Sequence, residues 1–342
     1  MNAFSQLPWN QDVFAHLVKL EAEQKLGHAH LVQGQNGVGK ESLARNFAAY
    51  LLCQNPQKEK ACGECQSCHL LSAGTHPDFK YIEPEESASQ IKIEQIRSSR
   101  EFLSNTAMMG KYKILLIRSA EKMNINAANA LLKNLEEPAA GTLLFLLSHQ
   151  PGALLPTIKS RCQKIKISRP DEKLALSWLE QQLDKEEAKL NLQLAYGAPI
   201  LALDYAGREK LEESRGIQKR LLELLKSQIV TTDAAKFMGA YPIESVLENF
   251  MLNVQQIVRH IHSKVKTSAT NLESEELHAI VAELSSDNLQ ALHQFYNELL
   301  HARKMLQSTA NPNPQLILES LCYHWAQIKQ VSDKHELEGL AV

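Results

Sequence analysis

The stretch Gly34-Gln35-Asn36-Gly37-Val38-Gly39-Lys40 constrains this chain more than any other. A short apolar strand, His30–Gln33, is expected to run into it, and a helix from about Glu41 to Leu52 to run out of it. Glycines at 34, 37 and 39 permit a turn tight enough for backbone N–H groups to converge, and the helix N-terminus adds a positive pole. Such a cradle suits a phosphate group, with Lys40 beside its outer oxygens. A glycine-rich turn without a ligand would read the same way.

The surrounding pattern sets the fold class. Phe79–Ile82, Lys113–Ile117, Leu143–Ser148 and Lys164–Ile167 read as further strands. Between them lie helical segments at 91–103 and 127–135, the latter stopped by Pro138, and a helix over 10–26 precedes the first strand. Strands alternating with helices predict an α/β domain, a parallel sheet with helices on both faces, over residues 1–168.

The character changes at Ser168-Arg169-Pro170-Asp171. Leu174, Trp178, Leu179 and Leu183 form one helical stripe, and a second, beginning at Leu190, breaks at Gly197-Ala198-Pro199. We expect a small all-α unit over 169–207. Val246, Leu247, Phe250, Met251, Val254, Ile257, Val258 and Ile261 then hold a helical period, as do Leu289, Leu292, Phe295, Tyr296, Leu299 and Leu300. Asn311-Pro312-Asn313-Pro314 punctuates before a final helix over 316–328, so 208–342 reads as an all-α bundle.

Charge excludes little. The net charge is -2, with 19 basic and 15 acidic residues in 1–168 and 18 and 24 in the remainder. The first part is thus mildly basic, which is weak evidence of a partner. The longest apolar runs, Ile114–Ile117 and Leu143–Leu147, are far too short to cross a membrane, and Met1–Gln11 has neither a basic leader nor an apolar segment. A cytoplasmic protein is expected, so its six cysteines need a reason other than disulfides.

The phosphate loop departs from that of a nucleotidase. The residue after Lys40 should be Ser or Thr to hold Mg²⁺, but it is Glu41, and Ser42 points about 100° away on a helix. The strand Ile114–Ile117 should end in an acidic pair that holds the metal and polarises water. It ends in Arg118-Ser119, and Glu121 comes two residues late. We expect a phosphate-loop fold that does not hydrolyse, with Gly34, Gly37, Gly39 and Lys40 as its residual cradle; binding without hydrolysis stays open.

Cys62-Gly63-Glu64-Cys65-Gln66-Ser67-Cys68 places three thiols at two-residue separations, and Cys53 ends the preceding helix. Four thiolates match a closed, structural Zn²⁺ site. An iron–sulfur cluster is the alternative, although the C-x₃-C-P element is missing after Cys68; free or redox thiols are the third possibility. Cys322 is expected in a core beside Leu318, Leu321 and Trp325.

Thr157-Ile158-Lys159-Ser160-Arg161-Cys162 precedes the last strand. An arginine in a loop at a sheet end is usually a solvated residue. It can also project into a neighbouring subunit's phosphates, where fingers of this kind accelerate phosphoryl transfer by roughly 10³–10⁵.

Together these segments resemble the clamp-loader subunits of the AAA+ family. Ser160-Arg161-Cys162 is similar to their Ser-Arg-Cys motif, and Asn129-Ala130-Leu131-Leu132-Lys133 with Leu135-Glu136-Glu137-Pro138 to their signature helix. Cys53, Cys62, Cys65 and Cys68 resemble the zinc module of the bacterial members, Ala73-Gly74-Thr75-His76-Pro77-Asp78 also matches, and Asn313-Pro314-Gln315-Leu316 resembles the collar. The resemblance implies an AAA+ core, a helical lid and a helical collar that serves oligomerisation. It implies that Arg161 acts in trans as an arginine finger on ATP held by a motor subunit of gamma/tau type, with Ser160 and Cys162 shaping the segment and Cys162 lying near the sheet rather than on metal. Gly197-Ala198-Pro199-Ile200 sits where active members place a sensing arginine, and Ile200 cannot contact phosphate. The implied role is a non-hydrolysing stator in a replicative DNA polymerase holoenzyme. Its partners are the motor subunits, a delta-type subunit, primer–template DNA within the assembly and, indirectly, the sliding clamp. An active AAA+ ATPase that uses Glu41 and Glu121 is one rival. A stand-alone zinc-dependent DNA-binding adaptor is the other.

Overall fold

The computed structural model describes residues 6–85, 90–206, 208–264, 274–306 and 312–329. The first five residues of the expected leaderless N-terminus, Gly207 at an expected boundary and Asn311 of the Pro-rich punctuation lie outside the described residues. The chain divides into two compact units, Met1–Ala188 with Gly197–Leu203, and Lys189–Tyr196 with Asp204–Val342.

The first unit is built on five parallel strands, β1 (Ala29–Gln33), β2 (Phe79–Ile82), β3 (Lys113–Ile117), β4 (Thr142–Ser148) and β5 (Gln163–Lys166), in the order β2-β3-β4-β1-β5. Helices α1 (Gln11–Ala22), α2 (Lys40–Leu52), α3 (Gln66–Ser72), α4 (Ile93–Ser104), α5 (Ile125–Glu136), α6 (Pro156–Arg161) and α7 (Glu172–Leu179) belong to it. Side chains alternate between the sheet faces, as the two-residue period requires. Leu31, Leu115, Ile117, Leu144 and Leu146 pack with Ile96, Leu131, Leu135 and Ile158 from α4, α5 and α6. On the other side His30 stacks on Phe145 at 5.3 Å, and Phe47 of α2 meets Phe145 edge-on at 6.0 Å. β3 and β4 are wholly buried, which is why they read as unbroken apolar runs rather than alternating ones.

Register decides what meets at the carboxyl edge. Gln33 pairs with Ser148, and Ile117 with Leu146. The residues that follow β1, β3 and β4, namely Gly34, Arg118 and His149, therefore emerge on one edge, the crevice where open parallel sheets bind ligands.

Helix α8 (Lys185–Leu194) crosses the boundary between the units, and α9 (Pro199–Asp204) follows it. The second unit continues as α10 (Arg208–Leu225), α11 (Thr231–Met238), α12 (Ile243–Lys264), α13 (Glu275–Ala282), α14 (Leu289–Leu306) and α15 (Pro314–Gln327). Its core centres on Phe250, Phe295 and Trp325, whose ring centroids lie 5.3 to 6.4 Å apart. The Trp325 indole N–H donates to the Leu221 carbonyl at 2.9 Å, so the large ring is buried without an orphaned donor. Cys322 is buried in this core, where burial pushes its thiol up to about 12.

Two short helices depart from the sequence reading. Residues 66–72, to which the sequence reading assigned no element, form α3, and the segment before β5 forms α6, so Arg161 is the last residue of a helix rather than part of a loop. No helix among the described residues is long and apolar enough to cross a membrane.

Candidate functional site

The glycine turn joins β1 to α2 as expected, with Gly37 and Gly39 at φ +75° and +91°. Conformation favours glycine at both, and at Gly37 space demands it as well. A Cβ on Gly37 would lie 2.4 Å from Leu201 Cβ, and one on Gly39 2.3 Å from a Leu7 methyl. The loop's carbonyls are engaged by the protein itself. Trp9 Nε1 donates to Val38 O at 2.9 Å, Asn10 Nδ2 to Gly39 O at 3.1 Å, and the Ile200 N–H to Gly37 O at 3.0 Å. Lys40 Nζ folds back to donate to Gly34 O at 2.9 Å and Gln35 O at 2.7 Å. Burial lowers the Lys40 ammonium to about 8, against the opposing charge of Glu121.

Glu41 is the centre of an ion cluster. Arg45 Nε donates to its Oε1 at 2.7 Å, the Tyr81 hydroxyl donates to the same oxygen at 3.0 Å, and Arg118 Nε lies 3.4 Å from Oε2. Arg118 also reaches Glu83 at 3.1 Å, and the Arg45 guanidinium lies over the Tyr81 ring at 4.2 Å. Burial, followed by the Glu41 charge, pushes the Tyr81 phenol up to about 12. Glu121 is not in this cluster. Its buried carboxylate sits 2.6 Å from His149 Nδ1, beyond the end of β4. Burial alone would raise Glu121; contacts from His149 and Ser148 outweigh it and hold the carboxyl below its ordinary value.

The four cysteines converge. Their sulfurs all lie within 4.8 Å of one another. Cys53 lies 3.5 Å from Cys62 and 3.9 Å from Cys65, and Cys62 lies 4.0 Å from Cys68. Zn–S bonds of about 2.3 Å in a tetrahedron require sulfurs about 3.8 Å apart, so the donor set fits the ion. Backbone N–H groups of Cys62, Cys65 and Cys68 point at the Cys53, Cys62 and Cys65 sulfurs, as thiolates require. Burial opposes ionisation of Cys65, but backbone groups of Cys68 and Gln54 outweigh it and bring the thiol down to about 6; burial raises Cys53 and Cys68.

A buried polar chain leads away from this cluster. Ser67 Oγ donates to Leu52 O at 2.6 Å and lies 2.8 Å from His76 Nε2. The Asp78 N–H donates to His76 Nδ1 at 3.0 Å, so His76 is neutral with its proton on Nε2, directed at Ser67. The Asp78 carboxylate, 0% exposed, accepts the N–H groups of Met108 at 2.8 Å and Met109 at 2.7 Å, with Lys113 3.5 Å away. The His76-Pro77-Asp78 motif therefore ties the cysteine segment to the 105–110 loop.

Arg161 closes α6. Ile158 and Cys162 on either side are buried in the sheet core, where burial raises the Cys162 thiol to about 11. Cys162 is thus near the sheet, apart from the cysteine cluster. Arg161 Nη1 donates to Thr157 O at 3.0 Å, the carbonyl that also accepts from Ser160 Oγ, and Nη2 lies 2.7 Å from Glu136 Oε1.

One cluster escaped the sequence reading. Ile93, Ile96, Arg97 and Arg100 of α4 and Asn126, Asn129, Ala130 and Lys133 of α5 line a groove of about 400 Å³. The signal was present, since 97 and 100, and 126, 129 and 133, are helical repeats of polar residues on one face. Among the described residues these three cations make no ion pair.

Residues 9–171 match the profile of a family described as DNA polymerase III, delta subunit, and residues 261–327 match a profile for the C-terminal part of the DNA polymerase III delta subunit. The DNA polymerase III subunit delta' of Pseudomonas aeruginosa is 37% identical over 94% of this chain and 97% of its own. That of Escherichia coli is 31% identical over 92% and 93%. A solved DNA polymerase III gamma subunit-related protein of Thermotoga maritima aligns at 17% identity and a TM-score of 0.46, covering 92% of this chain and 99% of that one. With relatives of that name matched at these identities along nearly its whole length, the chain belongs to the family of DNA polymerase III delta' subunits.

Proposed function

We propose that this chain is the stator of its clamp loader, a subunit that does not turn over ATP but donates Arg161 to ATP bound by a neighbouring motor subunit. The observation that carries the first half is the Glu41–Arg118 pair. A Mg²⁺ nucleotide needs oxygen ligands after the phosphate loop and at the end of β3. Here Glu41 is held by Arg45, Tyr81 and Arg118, and the β3 position carries a guanidinium instead of an acid. The residues do not fit the metal. The active-ATPase rival also needs Glu121 to polarise water, and His149 holds that carboxylate.

The second half rests on Arg161. Ile158 and Cys162 fix its helix to the sheet, while the Arg161 side chain stays 37% exposed. A cation carried on a rigid base can stabilise charge developing on a neighbour's phosphates. Cys53, Cys62, Cys65 and Cys68 would hold a structural Zn²⁺ that supplies no chemistry and clips the 54–61 segment. A reducing cytoplasm keeps those thiols available. The organisation is read as core (1–168), lid (169–207) and collar (208–342), the collar serving assembly with motor subunits of gamma/tau type and a delta subunit. Arg97, Arg100 and Lys133 face DNA phosphates in the assembly, which loads the sliding clamp on primed DNA.

The test is reconstitution. The chain alone should show no steady-state ATPase. Assembled with its partners, the Arg161→Ala variant should fold normally and lose most of the DNA-dependent ATPase. Hydrolysis by the isolated chain that Lys40→Ala abolishes would overturn the reading.

A further inference from the structure

We infer that Glu136 is a positioning residue for Arg161: it holds the guanidinium withdrawn and charge-compensated until a neighbour's phosphate displaces it. The inference rests on the reading of Arg161 as a finger and adds what that reading lacks, a reason for the finger to stay inactive before a nucleotide arrives.

The first ground is location. Glu136 is the last residue of α5 and is followed by Glu137 and Pro138. The C-terminal carbonyls of a helix already carry negative partial charge, so an acid there is locally unfavourable and a base would be expected. Helix stability therefore does not account for Glu136. Its compensation comes from another element, through the 2.7 Å contact with Arg161 Nη2.

The second ground is geometry. Arg161 is pinned twice, by Glu136 and by Thr157 O, a carbonyl of its own helix. The Thr157 contact draws the guanidinium back along α6, and the Glu136 contact ties it to the end of α5. A carboxylate at this distance also cancels most of the field the cation would present to an approaching anion.

The third ground is exchangeability. A guanidinium presents the same planar fork to a carboxylate and to a phosphate. The side chains of Arg161 and Glu136 are 37% and 47% exposed, so a phosphate can reach the pair and the pair is weak enough to open. Once Arg161 engages phosphate, Glu136 is a like charge beside the ligand and must separate from it. The cost of that exchange falls on nucleotide engagement, so it appears in the KM for ATP.

The test uses the full loader reconstituted from this chain, its motor subunits and its delta subunit, with DNA-dependent ATPase measured against ATP concentration. Glu136→Gln is expected to lower the KM for ATP about two- to fivefold, the scale of one exposed ion pair, with a smaller change in kcat. Glu136→Asp, which keeps the charge, should stay closer to the parent. The Glu136→Gln effect should shrink at high salt and vanish on an Arg161→Ala background. An unchanged or raised KM, or a kcat that falls with Glu136→Gln, overturns the inference, the last because it would make Glu136 a productive orienter. Should Glu136→Gln fail to assemble, Glu136→Ala provides the same reading. If Arg161→Ala itself leaves the ATPase intact, the finger reading falls as well, so the two failures are distinguishable.

Discussion

Arg118 Nε lies 3.4 Å from Glu41 Oε2, joining the end of β3 to the first turn of α2. In a nucleotidase those two positions share a metal ion. Here one carries a guanidinium and the other a carboxylate, so the pair is locally neutral. The guanidinium bridges the two elements directly. Its side chain is 52% exposed and that of Glu41 33%, so the bridge contributes at most about 1 kcal/mol. Arg118→Ala is therefore expected to lower stability by about 1 kcal/mol or less in urea denaturation, and to produce no ATPase activity in the isolated chain. Appearance of Mg²⁺-dependent hydrolysis in that variant would show that only the arginine had been blocking a competent site.

Metal removal should be felt throughout the cysteine module. If the site binds zinc and free zinc exceeds the Kd a thousandfold, binding contributes about 4 kcal/mol to the folded state. Chelation should lower the Tm of the wild-type chain, Cys65→Ser should lower it comparably, and chelation should then do nothing further to Cys65→Ser. Equal melting of wild type with and without metal would remove the structural zinc.

β3 and β4 were legible because burial on both faces turns them into apolar runs, as at Ile114–Ile117, and the glycine loop because its backbone needs are local. The α3 and α6 helices were not. α3 is capped by the sulfur of Cys65, which accepts the Cys68 N–H, in place of the usual hydroxyl, amide or carboxylate caps. α6 has six residues and too few turns to show a period. The cysteine set was legible from spacing, whereas the Glu41–Arg118, Arg161–Glu136 and Asp78–Met108 contacts join residues far apart in sequence and leave no local signal.

Asp78 offers a sharper test of buried polar design. Its carboxylate is fully buried, accepts two backbone N–H groups and lies beside Lys113, itself 5% exposed. Asp78→Ala strands both donors and leaves the ammonium only the Pro77 carbonyl at 3.4 Å and the Phe102 ring, and a broken buried pair costs roughly 3–5 kcal/mol. Denaturation should show a loss on that scale, and hydrogen exchange should show faster exchange at the Met108 and Met109 amides. A loss below about 1 kcal/mol would mean that water replaces the carboxylate freely.

His30 sets an acid limit on the core. It is 1% exposed, its Nε2 lies 2.8 Å from Gly27 O, and its Nδ1 is buried without a partner. Burial lowers the imidazole to about 4, below its ordinary 6.5. Between those values the unfolded chain binds a proton that the folded chain refuses, so stability is present above pH 6.5 and falls as pH drops toward 4. The loss amounts to about 3 kcal/mol across the window. His30→Phe should flatten the stability profile between pH 6.5 and 4; an unchanged slope would assign the acid sensitivity elsewhere.

The α4–α5 groove predicts how the assembled loader should respond to salt. Arg97, Arg100 and Lys133 stand on two adjacent helices and are free of ion pairs among the described residues, so their charge is available to an external anion. A phosphate contact releases counterions and contributes a slope of about 0.9 per contact in log affinity against log salt. Arg97→Ala or Lys133→Ala should weaken primer–template binding by the assembly to a similar extent for every sequence, and each should flatten the slope by about one unit. Stability should barely change, because neither side chain has an internal ion pair to lose. Weakening that depended on base sequence would point to contact with base edges, and unaltered binding would exclude the groove from the DNA path.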